Sequence, residues 1–184
     1  MRKINDWEKM DSENEVVEFE SIKPGAYICK ILEVQDEVNK EYLKIKFDIV
    51  DGEYKDFFTT RFQLDNWSNQ GTTYRSYKDT ATKFFRAFIT AIEKSNAKAN
   101  YRWDWNEQSL VNRYFVAVFG EEEYLDKNNE VQISVKVQDI RSIPALREGK
   151  IETPKLKKLK VKSVAPATNN NDNFNIYDDE NCPF

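Results

Sequence analysis

The chain predicts a fold dominated by β-structure, five strands with a single helix between the third and the fourth, and three observations carry that expectation. Apolar and polar residues alternate at period two along 42–50, the spacing of a strand with one face in the core and one in water. One stretch, 81–96, changes to the spacing of a helix, and turn chemistry marks the boundaries at Pro24-Gly25, Asp51-Gly52 and Asp126-Lys127-Asn128-Asn129.

The first strand is expected at 26–35, AYICKILEVQ, where β-branched and aromatic residues follow Pro24-Gly25. After a polar turn, YLKIKFDIV over 42–50 places Leu43, Ile45, Phe47 and Ile49 on one face. Tyr42, Lys44, Lys46 and Asp48 fall on the other. Asp51-Gly52 is a tight-turn signal, so EYKDFFTTRF over 53–62 is expected to return as the third strand of a meander. Residues 63–79 read as a loop. In 81–96, Phe84, Phe85, Phe88, Ile89 and Ile92 line one helical stripe, with Asp79 or Thr80 as the candidate N-cap. After a linker carrying Tyr101, Trp103 and Trp105, the runs 113–125 and 130–143 form the last two strands, joined by the Asp126–Asn129 hairpin loop. This order fits the five-stranded Greek-key barrel called the OB-fold, all-β dominated, with its helix between strands 3 and 4. Another small mixed barrel or an α+β sheet with the same element order remains the alternative.

Composition narrows the function. The 184 residues have room for one domain plus tails. The expected division is an N-terminal arm over 1–21, a barrel over 22–145, a basic extension over 146–164 and a flexible acidic tail over 165–184. The chain contains no histidine, which removes the commonest general base and every Ser-His or Cys-His nucleophile pair. Its five glycines, at 25, 52, 71, 120 and 149, are far apart, and none precedes Lys-Ser or Lys-Thr, so no phosphate loop is present. The 32 acidic residues show no metal-binding grouping. A non-catalytic protein without cofactor or metal is therefore expected. Two cysteines, Cys29 in a strand pattern and Cys182 in the tail, indicate no disulfide framework. The N-terminal residues turn acidic where a signal peptide needs an apolar run, and no transmembrane run occurs, so the cytoplasm is the expected compartment.

Single-strand binders pair a basic groove with aromatic faces on which bases stack. The expected face carries Tyr42, Lys44 and Lys46 from the second strand, and Lys55, Phe57, Thr59 and Arg61 from the third, with Tyr54, Phe58 and Phe62 inward. Because Phe57 and Phe58 are adjacent, a slip of one residue exchanges the two sets. The loop before the helix adds Trp67, Tyr74, Arg75, Tyr77 and Lys78, a rhythm of rings and cations suited to a flap over the groove. Such aromatics serve equally well as barrel-capping core residues. Net charge is −4, but it is unevenly distributed. From Arg141 to Val164 eight bases face two acids, whereas the first twenty residues hold three bases and seven acids. Lys155, Lys157, Lys158, Lys160 and Lys162 are candidates to track phosphates, although the same run suits a solvated linker.

The chain closes on Asp178-Asp179-Glu180-Asn181-Cys182-Pro183-Phe184, after a polar run expected to be a tether. Carboxylates for a basic patch and a ring for an apolar pocket make a docking peptide of Asp178, Asp179, Glu180, Pro183 and Phe184. The ending resembles the acidic Pro-Phe tip of bacterial single-stranded DNA-binding proteins, which recruits host replication and recombination proteins. It departs at Asn181 and Cys182, where that family carries an acid followed by Ile or Leu. The stretch VNRYFVAVFGEEEYLDKNNEVQISVKVQDIRSI and the following LREGKIETPKLKKL are similar to the later half of OB-like single-strand binders encoded by phages and conjugative elements of Gram-positive bacteria. With PGAYICKILEVQ the likeness spans most of 22–160. It implies a role in DNA replication, recombination or transfer of a mobile element. The alternative is an OB-like adaptor that binds protein and has no DNA role; a nuclease is the third reading, disfavoured by the missing histidine. Ile4, Trp7 and Met10, at helical spacing in the arm, are expected either to dock on a neighbouring copy or to pack on their own barrel.

Overall fold

The computed structural model describes residues 21–65 and 71–159, and of 62–65 the backbone only. Five strands form one antiparallel sheet: β1 (Gly25–Glu37), β2 (Tyr42–Ile49), β3 (Thr72–Ser76), β4 (Tyr114–Leu125) and β5 (Val131–Arg141). Three α-helices accompany them: α1 (Phe57–Asp65), α2 (Thr82–Ser95) and α3 (Ile143–Arg147). The all-β-dominated class is as expected, and the helix between the third and fourth strands is present as α2. The strands lie in the order β3-β2-β1-β4-β5, which leaves β3 and β5 as the open edges.

The long β1 organises this sheet by changing partner along its length. Its first part, Gly25 to Lys30, pairs with β4, and Cys29 to Glu37 pairs with β2. Between Ile31 and Glu33 the register shifts, and Leu32 at the shift is 46% exposed. A bulge of this kind bends and twists a strand, so β1 serves two neighbours across a curve. β2 alternates as its sequence dictates from Tyr42 to Phe47, with Leu43, Ile45, Phe47 and Ile49 buried in the core, but Asp48, expected on the wet face with Tyr42, Lys44 and Lys46, is buried as well. The rings of Phe47, Phe58, Phe115 and Phe119 meet there, Phe47 standing edge-on 5.5 Å from both Phe58 and Phe115. α2 buries Phe88, Ile89, Ala91 and Ile92 and touches β3, β4 and β5, packing between the open edges. Phe84, expected on its apolar stripe, is 61% exposed.

The expected third strand over 53–62 is not formed. Asp51-Gly52 does turn, with Gly52 at φ +82°, but the chain then enters α1. The reason lies on β2: the buried Asp48 carboxylate accepts the Phe58 N–H at 3.0 Å and the Thr59 N–H at 2.8 Å, which satisfies donors of the first helical turn. Tyr54, Phe57, Phe58 and Arg61 fall at i, i+3, i+4 and i+7, a helical spacing that the β-rich composition masked. The edge position beside β2 is taken instead by β3, from what reads as a loop. Gly71 makes that entry possible. Its φ is +70°, and a Cβ there would collide with the Phe47 carbonyl oxygen and meet the Phe58 side chain at 2.9 Å.

At the other end, the β4–β5 hairpin closes as expected through Asp126, whose carboxylate accepts the N–H groups of Asn128 and Glu130. β4 runs past the start of β1, and its free edge there is met by the later chain: Lys157 N–H donates to the Glu121 carbonyl and Glu123 N–H to the Lys157 carbonyl. Among the described residues no helix is long and apolar enough to cross a membrane.

Candidate nucleic-acid interface

The water-facing side of β1, β2 and β3 can be built residue by residue from the register. Across β2 and β3, Lys44 stands opposite Tyr74, Lys46 opposite Thr72 and Tyr42 opposite Ser76. Across β2 and β1, the same residues face Gln35, Glu33 and Glu37. Tyr42, Lys44 and Lys46 therefore occupy the face their alternation predicts. Tyr74 joins them, 42% exposed, with its ring edge-on to Tyr42 at 5.4 Å. The Lys40 ammonium lies 6.0 Å from the centre of the Tyr42 ring. Carboxylates share the surface: Lys46 donates to Glu33 at 2.7 Å, so its charge is already matched. Lys44 and Lys40 remain as the cations nearest the tyrosine pair.

Other expected members are placed elsewhere. Lys55 sits in the exposed turn before α1, not on a strand. Phe57 is half-buried and packs edge-on against Tyr54 and Phe58, with the Arg61 guanidinium 5.9 Å from its ring. Both are helical, so the aromatic and basic strand expected from Lys55, Phe57, Thr59 and Arg61 does not exist. Arg75 points the opposite way from Tyr74: it is 4% exposed, and its guanidinium lies 5.7 Å from the Phe88 ring on the core side. Successive strand residues face opposite sides, so Tyr74 and Arg75 were never both available to one groove. Tyr77 is half-buried against Phe85, and its hydroxyl donates to Asp36 at 2.8 Å. Burial first, then this carboxylate, pushes its phenol up to about 12. It is a structural tyrosine rather than a stacking platform. Lys78 is half-exposed where the 3₁₀ turn Asp79–Ala81 begins.

In the basic extension, Lys157 is committed to Glu122 at 3.1 Å, while Lys155 and Lys158 are exposed. Trp67, Lys160, Lys162, the arm with Ile4, Trp7 and Met10, and the docking residues Asp178, Asp179, Glu180, Pro183 and Phe184 lie outside the described residues. Among the described residues no cluster of three metal-ligating side chains occurs.

The segment 101–112, expected only as a linker carrying Tyr101, Trp103 and Trp105, has a built structure of its own. Asp104 there accepts from the Ser109 hydroxyl at 2.9 Å and from the Asn106 N–H at 3.2 Å, and these bonds hold its carboxyl below the usual range. Tyr101 packs under the Arg113 guanidinium at 4.4 Å. The Gln108 amide donates to the Val34 carbonyl, which fastens the segment to β1. On this pinned scaffold Trp105 is 84% exposed and has φ +63°.

In comparison with known proteins, residues 9–172 match a family described as "Protein of unknown function (DUF669)". No curated protein matches the chain.

Proposed function

The chain belongs to the DUF669 family, and we propose that it is a non-catalytic single-stranded DNA-binding protein with little sequence preference. The observation that carries this reading is the Tyr42–Tyr74 pair on the water-facing side of the sheet, with Lys44 directly across from Tyr74. Two phenol faces beside cations suit bases and phosphates together, each stacked base contributing about 1–3 kcal/mol. The strand order supports an OB-like barrel as the finer description: a bent β1 shared by β2 and β4, edges left open at β3 and β5, and a helix packed between them, as in a partly open Greek-key barrel. In this reading the protein protects single strands during replication, recombination or transfer of a mobile element in the cytoplasm. Asp178, Asp179, Glu180, Pro183 and Phe184 would recruit replication or recombination proteins.

The carboxylates Glu33 and Glu37 on the same face favour the second reading, a protein-binding adaptor. Anisotropy titrations of labelled oligo-dT and of duplex of equal length, at two salt concentrations, separate the two. Salt-sensitive preference for the single strand, weakened by Tyr74→Ala, is the expected result. Equal or absent binding to both would transfer the function to the adaptor.

A further inference from the structure

Directly behind β3 lies a second basic surface, on α2. At this open edge only one strand separates the helix from the water-facing side of the sheet: Tyr74 faces water, and the guanidinium of the next residue, Arg75, reaches the Phe88 ring of α2 at 5.7 Å. Phe88, Ile89, Ala91 and Ile92 turn the apolar side of the helix inward. Lys83, Ala87, Thr90 and Lys94 then fall at i, i+4, i+7 and i+11, one stripe on the outward side, with Arg86 on one flank of it and Phe84 on the other. Lys83, Arg86 and Lys94 are exposed, and so is the Phe84 ring.

The two surfaces differ in charge. On the water-facing side of the sheet the cations are balanced: Lys46 is paired with Glu33, and Glu37 stands across from Tyr42. Asp36 and Glu41 flank the β1–β2 turn that carries Lys40. Rings for bases are present there, but little net positive charge for phosphates. Across the edge the balance reverses. From Lys78 to Lys98 five bases stand against two acids, Asp79 and Glu93. Glu93 is engaged, accepting the Trp103 backbone N–H at 3.0 Å. Beside the helix, Glu148 is held by Lys150 at 2.6 Å and more weakly by Lys94, and Asp139 of β5 pairs with Arg141 at 2.7 Å. Lys83, Arg86 and Lys98 take part in no ion pair among the described residues.

We infer that a single strand seated on the Tyr42–Tyr74 pair continues over the β3 edge onto α2, where Lys83 and Arg86 hold its phosphates and Phe84 offers a further ring. The inference rests on the DNA-binding reading and adds a second contact face to it. The chain marks the route: Tyr74, Ser76 and Lys78 lead from the water-facing side to the 3₁₀ turn Asp79–Ala81, and Lys83 follows in the first turn of α2. Stacking rings and phosphate-binding cations are the two ingredients of a single-strand site. Here they lie on adjoining faces of one edge, the rings foremost on the sheet and the unmatched cations on the helix. Phosphate contacts of this kind position a strand without reading its sequence, in keeping with weak sequence preference.

The test uses the full chain and two lengths of labelled oligo-dT, about 5 and about 20 nucleotides, at the low end of and beyond the roughly 4–16 that one OB-like unit covers. Lys83→Gln with Arg86→Gln removes two cations from exposed helical positions and keeps good helix formers there. Lys55→Gln with Lys127→Gln removes the same charge from exposed turns elsewhere. By anisotropy the α2 pair should weaken the long strand on the order of 10-fold and reduce its salt slope by about 1.4, at about 0.7 per phosphate contact. Binding of the short strand should be unchanged, and the second pair should alter neither length. Long-strand affinity and slope left intact by the α2 pair would overturn the inference and assign the helix face to an acidic protein segment, while short-strand binding would keep the DNA-binding reading standing. Equal losses from both pairs would overturn it as well, since net charge alone would then account for them. No binding of either length by the unaltered chain would overturn both readings together.

Discussion

The carboxylate of Asp48, near the end of β2, caps α1 by accepting the N–H of Thr59 at 2.8 Å, eleven residues further along the chain. Its other oxygen accepts from Phe58 at 3.0 Å and from Ile49 at 2.8 Å, and the residue is 3% exposed. Asp48→Ala leaves these buried donors without their charged acceptor and should destabilise the fold by about 2–4 kcal/mol, on the scale of lost caps and charge-assisted bonds. Asp48→Asn, which keeps an acceptor oxygen, should cost less. Urea unfolding of the three proteins measures the order.

Gly71→Ala should destabilise by about 2–4 kcal/mol, since the residue sits at φ +70° and its Cβ meets backbone. Gly52→Ala, at φ +82° but with nothing within 4 Å of the added carbon, should cost about 1 kcal/mol. Thermal melts of both variants check the contrast.

Tyr74→Ala should weaken single-strand binding about 10-fold with the melting temperature nearly unchanged, from the loss of one stacking ring. Arg75→Ala, one position along, should instead lower the melting temperature, because its guanidinium packs over Phe88 inside the fold. Anisotropy and melting curves on both variants distinguish the two faces of β3.

Tyr77 gives the fold a pH-dependent contribution on the alkaline side. Its phenol is raised from 10.0 to about 12, so the neutral form is the one the folded state favours. That stability is fully present below pH 10.0 and is lost as pH rises toward about 12. Stability measured across this window should fall more steeply for the unaltered chain than for Tyr77→Phe, which lacks the ionising group.

The strands at 26–35, 42–50, 113–125 and 130–143 were legible because their patterns are local: alternation, β-branched residues and flanking turns. Tyr42, Lys44 and Lys46 were legible for the same reason, since facing follows from alternation within a strand. α1 was not. Its aromatic and threonine content argues for a strand, and the cap that favours the helix comes from Asp48, outside the segment. β3 was hidden in a run of turn-forming residues, and with it the pairing of Tyr74 with Lys44. Trp105 was legible only as part of a linker, because its display depends on bonds from Ser109 and Gln108 and on the strand that Gln108 reaches.

By itself the sequence determined the β-dominated class, the helix at α2, the closing hairpin and the water-facing side of β2, all of which follow from periodicity and turn chemistry within one segment. Only the tertiary structure decided which segment lies beside β2, which side of β3 is wet, and which of the many aromatics and cations share a surface. These depend on pairing between residues distant in the chain: a carboxylate on one strand selects a helix, a glycine admits a strand edge, and Arg75 turns toward Phe88 while its neighbour Tyr74 meets water. Such choices are settled by competition between long-range contacts, and no local spacing records the outcome.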